Sequence, residues 1–133
     1  MTTAVYPGTF DPFTLGHLDV LKRAARLFDR VILAVAESEK KKTLFTLEER
    51  IALAQASCEE EQGLENVTVE GFRGLLCDFA KARGVTVSVR GARAVSDFEY
   101  EFQMSLTNKK LNPEVDTVFL TTRAENMYLS SSM

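Results

Sequence analysis

The chain has 133 residues, 45% hydrophobic and 26% charged, with 16 Lys plus Arg against 19 Asp plus Glu and a formal net charge of -3. That is one domain's worth of chain, too apolar for a disordered segment and too acidic for a general nucleic-acid coat. One His and two distant Cys exclude a multi-His metal centre and any C-x-x-C motif, and no apolar run approaches the ~20 residues of a membrane span.

The elements alternate along the chain. Ala4–Tyr6 is short, apolar and strand-like, and Met1–Thr3 runs straight into it, so no signal peptide is expected and the thiols read as those of a cytoplasmic protein. Pro7–Gly16 is a Pro/Gly-rich loop. His17–Asp29 places Leu18, Leu21, Ala25 and Phe28 at helical spacing, and Val31–Ala36 is a continuous apolar run suited to a strand covered on both faces. Glu37–Lys42 is a charged loop. Thr46-Leu47-Glu48-Glu49 is a capping box opening a helix that carries Ile51, Leu53, Ala54 and Ala56. Val67–Val69 is a third strand, Leu75–Arg83 a helix ended by Gly84, and Val85–Val89 a fourth strand. Arg90–Ala94 is a loop. Ser96–Glu99 is a second capping box, opening a helix to about Leu111, and Val115–Leu120 is a fifth strand.

This βαβαβαβαβ order predicts one Rossmann-like α/β domain over residues 1–133: a doubly wound, five-stranded parallel sheet with helices on both faces. Ligands of such sheets bind beyond the carboxyl ends of the strands. Pro7–His17, Glu37–Lys42, Arg90–Arg93 and Thr121–Ser132 are therefore expected to share one cleft.

The first of these segments is neither G-x-G-x-x-G nor a P-loop, which disfavours a dinucleotide oxidoreductase. It offers Gly16 and His17 at a helix start, where free N–H groups and the helix dipole suit a phosphate. His17 adds a directed donor there, or else it caps the helix. Lys40-Lys41-Lys42 is a solvated charge run or an anion site. Arg90, at the end of a buried strand, suits phosphate, or else pairs with Asp97 or Glu99. Ser130-Ser131-Ser132 is a flexible tail or an N-cap for phosphate oxygens. Cys58 and Cys77 read as core residues, and Asp11 as a turn former rather than a metal ligand. No paired carboxylates, Ser-His-Asp or Cys-His arrangement stands out. The chemistry on offer is the holding of phosphates.

Thr14-Leu15-Gly16-His17 resembles the His/Thr-x-Gly-His motif of the nucleotidyltransferase superfamily. The longer string from Tyr6 to His17 resembles the phosphopantetheine adenylyltransferase family of bacterial coenzyme A synthesis. Phe45–Arg50, Arg90–Glu101 and Leu129–Ser132 match the same family, so the likeness runs from the first strand to the end. It departs at Leu15, where Asn is common, at Gly74, where an acidic residue is frequent, and at Asn126, where relatives often carry an aromatic. Relatives also continue with more helix past the serine run, whereas this sequence stops at Met133, so a domain without that tail is expected.

The resemblance implies adenylyl transfer from ATP to 4'-phosphopantetheine, giving dephospho-coenzyme A and pyrophosphate. Mg²⁺ would be held by the ATP phosphates rather than by protein ligands. Thr9, Lys41, Leu76 and Arg90 would contact the acceptor. Thr9, Phe10, His17, Gly91, Ala92, Arg93, Glu101, Asn126, Met127, Tyr128, Leu129, Ser130, Ser131 and Ser132 would contact ATP. It further implies a homohexamer in the cytoplasm, coenzyme A as a candidate inhibitor, and neither nucleic acid nor membrane as partner. The attacking group would be a phosphate monoester, largely dianionic at pH 7 because its second pKa is about 6. Attack would be in line, with no protein nucleophile and no general base, and His17 would stabilise the transition state. The rival readings are a related adenylyl- or cytidylyltransferase and a truncated nucleotide-binding module without activity.

Overall fold

The computed structural model describes residues 2–37, 43–92 and 115–121. Strands β1 (Thr3–Gly8), β2 (Arg30–Glu37), β3 (Val67–Arg73), β4 (Val87–Ala92) and β5 (Asp116–Thr121) form one sheet in the order β3-β2-β1-β4-β5. Every recorded pairing is parallel. The three described helices are α1 (Leu15–Leu27), α2 (Leu47–Glu59) and α3 (Leu76–Arg83).

Strand periodicity sorts the core into two layers. Ala4, Tyr6, Val31, Leu33, Val35 and Val89 face Val20, Leu21, Ala24 and Ala25 of α1 and Ala54 of α2. Val5, Ile32 and Ala34 face the other way, against Ala80 of α3, Val85 and Val115. The run Val31–Val35 is thus buried on both sides, and each large side chain there contributes about 1.5–3 kcal/mol by leaving water. The doubly wound arrangement read from the sequence is present.

Several boundaries move. β1 takes in Pro7 and Gly8, and α1 begins at Leu15 rather than His17. β3 runs on to Arg73 through Gly71, whose bare Cα is packed by Ile51 and Leu47 of α2. Arg90, Gly91 and Ala92 are not loop: they are the last residues of β4, paired with Phe119, Leu120 and Thr121. α2 has the expected reciprocal cap, with Glu49 N–H donating to Thr46 Oγ1 at 3.2 Å and Thr46 N–H to Glu49 Oε1 at 3.0 Å. Gly84 ends α3 at φ +68°, a left-handed conformation that glycine adopts without strain. The helix expected over Ser96–Leu111 lies outside the described residues.

The sheet order makes β2, β1, β4 and β5 consecutive neighbours. The carboxyl ends expected to share a cleft are therefore adjacent, and chain order reverses between β1 and β4. β1 pairs with β2 along its whole length but with β4 only through Ala4↔Val87 and Val5↔Ser88. This is the crevice position of open α/β sheets.

Candidate active site

The turn after β1 is shaped by packing around Phe10. Phe10 sits at φ +50°, a conformation that costs a non-glycine residue about 1–3 kcal/mol, and it is only 3% exposed. A Cβ at Gly8 would lie 2.8 Å from the Phe10 ring, so glycine there leaves the ring its room. The ring meets Tyr6 edge-on at 5.3 Å and His17 edge-on at 4.9 Å, and Phe13 packs on His17 at 5.6 Å. The imidazole is held between two aromatic rings.

His17 also completes the cap of α1. Thr14 is the N-cap, and its Oγ1 accepts from His17 N–H at 3.3 Å. In return the Thr14 N–H donates to His17 Nδ1 at 3.0 Å. A backbone N–H can only donate, so Nδ1 accepts and the neutral ring carries its proton on Nε2. A capping box ordinarily has Glu or Gln at this third helical position. α2 follows that rule and also carries Glu48 in its first turn, whereas the first turn of α1 contains no acidic residue. Placing His there keeps the cap, removes a negative charge from the positive helix end and presents an N–H donor beside it. Of the two alternatives weighed for His17, the structure shows the cap, made through Nδ1, and that contact leaves the ring N–H on Nε2.

Strand parity places the remaining described candidates. Gly91 faces α1, where an added Cβ would lie 3.1 Å from Val20 Cγ2. Arg90 alternates with it and rises on the opposite face, the side of α3, where the half-buried Leu76 opens the helix. Thr9, Phe10 and His17 follow β1, and Ala92 ends β4. Lys41, Arg93, Glu101 and Asn126–Ser132 lie outside the described residues.

Two residues that sequence reading left out of the site join its loops. Asp11 lies in a turn, as read, and its carboxylate also reaches across the chain to accept the Leu44 N–H at 2.6 Å and the Phe45 N–H at 3.0 Å. Arg50 reaches back to the same region from α2, donating to the carbonyls of Thr9, Ala36 and Phe45. The signal in the sequence was an arginine four residues before Ala54, on the helix's buried side. Among the described residues no group of three or more His, Cys, Asp or Glu is placed to hold a metal ion.

The cytidylyltransferase-like family profile matches residues 5–133. The phosphopantetheine adenylyltransferase of Moorella thermoacetica is 56% identical over 133 residues, covering 100% of this chain and 81% of that protein. The phosphopantetheine adenylyltransferase of Methylococcus capsulatus is 56% identical over 131 residues, 98% of this chain and 79% of its own length. Among solved structures, a Plasmodium falciparum nicotinic acid mononucleotide adenylyltransferase superposes with a TM-score of 0.70 at 15% identity, over 96% of this chain and 69% of that one. A lipopolysaccharide core biosynthesis protein of Thermoplasma volcanium gives 0.66 at 22% identity, over 92% and 98%. The structural neighbours share the fold. The sequence relatives go further, and the chain belongs to the phosphopantetheine adenylyltransferase family.

Proposed function

We propose that this chain transfers the adenylyl group of ATP to 4'-phosphopantetheine, releasing pyrophosphate and dephospho-coenzyme A. The observation that carries the reading is the His17 arrangement: an imidazole whose Nδ1 accepts the Thr14 N–H, which leaves the ring N–H on Nε2, at a helix whose first turn carries no acidic residue. The acceptor is taken from relatives 56% identical to this chain.

The reaction brings two anions together. The acceptor phosphate is already the nucleophile, so the protein's tasks are alignment and charge stabilisation. Arg90, from the α3 side of β4, and Lys41 orient the acceptor phosphate, and Leu76 lies along its pantetheine arm. On the α1 side, the N–H groups opening α1 and His17 Nε2–H stabilise charge developing on the α-phosphate oxygens. Phe10, whose ring is enclosed, meets the nucleotide through its backbone, beside Thr9. Gly91, Ala92, Arg93 and Glu101 complete the nucleotide side, and the segment Asn126–Ser132 holds the distal phosphates. The donors at this edge are N–H groups and an imidazole, chemistry that fits phosphate oxygens with their accompanying cation. Mg²⁺ bound with ATP would supply charge neutralisation at those oxygens.

The family resemblance further supports a homohexamer acting in the cytoplasm, with coenzyme A as an inhibitor. No described helix is long and apolar enough to cross a membrane. The test is an assay of pyrophosphate and dephospho-coenzyme A from ATP and phosphopantetheine, with nicotinate mononucleotide as the competing acceptor. Formation of both products in equal amounts is expected. Turnover with the mononucleotide instead would replace the acceptor assignment.

A further inference from the structure

Arg50 is 3% exposed, on the face of α2 that packs into the protein. A buried guanidinium is costly unless its donors are met. Here Nη1 donates to the carbonyls of Thr9 and Ala36, each at 2.8 Å, and Nε to the carbonyl of Phe45 at 3.2 Å. The described ion pairs do not include it. Its positive charge is held by carbonyl dipoles drawn from three segments: the turn after β1, the end of β2 and the entry to α2. Asp11 ties the first and third of these from the other side, so Phe45 is gripped through its N–H by Asp11 and through its carbonyl by Arg50.

We propose that Arg50 is a positioning residue for adenylyl transfer, working with Asp11 to fix the β1–α1 turn against the end of β2 and the start of α2. The inference rests on the adenylyl-transfer reading of this edge. A buried cation that is answered, among the described residues, by carbonyls alone is a poor device for stability, since an apolar side chain of similar volume often serves as well or better. What it supplies is placement. Thr9 is bonded directly, and Phe10, the next residue, buttresses His17. A planar fork reaches three diverging carbonyls, whereas an ammonium on a flexible stem does not hold them in one geometry.

The test compares Arg50→Lys, Asp11→Asn and the double variant with the wild-type chain. Lysine keeps the charge and loses the fork; asparagine keeps the size and loses one of two acceptors. The expected result is a fall in kcat of about 10–100-fold for each single variant, the scale of a misplacement of about 1 Å, with KM for ATP changed less than about threefold. The double variant is expected to be little worse than the poorer single one, because both break the same junction. Hydrogen exchange of the Leu44 and Phe45 amides, protected by Asp11, is expected to quicken in Arg50→Lys, although that variant leaves both amide acceptors in place. A kcat within twofold of wild type overturns the proposal. So does a loss that only tracks the unfolded fraction measured by circular dichroism. If Arg50→Lys fails to fold, Asp11→Asn decides alone by the same criteria. If the wild-type chain makes no pyrophosphate, the functional reading fails. Amide exchange then judges the junction separately, and unchanged exchange in Arg50→Lys removes it too.

Discussion

On the proposed reading His17 has two tasks, one for each ring nitrogen, and a substitution that keeps the cap acceptor can be set against one that keeps neither. In His17→Asn the side-chain oxygen falls near the Nδ1 position and still accepts the Thr14 N–H, now 3.0 Å from Nδ1, but nothing replaces Nε2–H. In His17→Ala both the Nδ1 acceptor and Nε2–H are lost. Losing one preorganised donor costs about 10²–10³ in kcat, roughly 2.7–4 kcal/mol of transition-state stabilisation. Losing a cap bond costs about 0.5–1 kcal/mol of stability, or roughly 2–6 °C in Tm for a domain of this size. His17→Asn is therefore expected to stay within a few degrees of wild-type Tm and to lose about 10²–10³ in kcat. His17→Ala is expected to lose as much kcat as His17→Asn and, in addition, to melt lower. Thermal unfolding by circular dichroism and steady-state pyrophosphate release read the two effects. Wild-type turnover in His17→Asn would falsify the donor role and leave His17 a cap.

Arg90→Ala is expected to raise KM for phosphopantetheine about 10–100-fold, the worth of hydrogen bonds to a charged phosphate. Its ATP affinity by calorimetry is expected to change little, and equal losses for both substrates would remove the assignment. Gly8→Ala places a methyl 2.8 Å from the Phe10 ring. It is expected to cost about 1–3 kcal/mol in urea unfolding, with a fall in kcat as Phe10 and His17 shift. Burial, with Glu59 adding to it, pushes the Cys58 thiol above its ordinary pKa. Less thiolate is then present at pH 8, so Cys58 is expected to alkylate more slowly in the native chain than in urea, and equal rates would contradict that environment.

The order of elements was legible because helix and strand periods alternate cleanly and the short connections carry their own signals. Thr46 with Glu49 and the glycine after Arg83 gave α2 its start and α3 its end. The ends of β3 and β4 were not legible. Gly71, Arg90 and Gly91 are poor strand formers, and pairing with β2 and β5 holds them extended. Thr14-Leu15-Gly16-His17 announced a helix start, but not which nitrogen faces which way, since that depends on a hydrogen bond to the Thr14 backbone. The Asp11 and Arg50 contacts join residues up to 41 positions apart, beyond the reach of any local pattern. Only the arginine's place on a buried helix face hinted at them.

The central claim is direct transfer, in which the acceptor phosphate itself attacks the α-phosphorus and no residue of the chain is adenylylated. The sharpest test is pyrophosphate counted against enzyme, first with ATP alone and then after phosphopantetheine is added. Direct transfer predicts well under one equivalent before the acceptor, then one pyrophosphate for each dephospho-coenzyme A formed. A full equivalent released before the acceptor arrives would mean an adenylylated protein, and no release after it would mean that the chain does not catalyse the transfer.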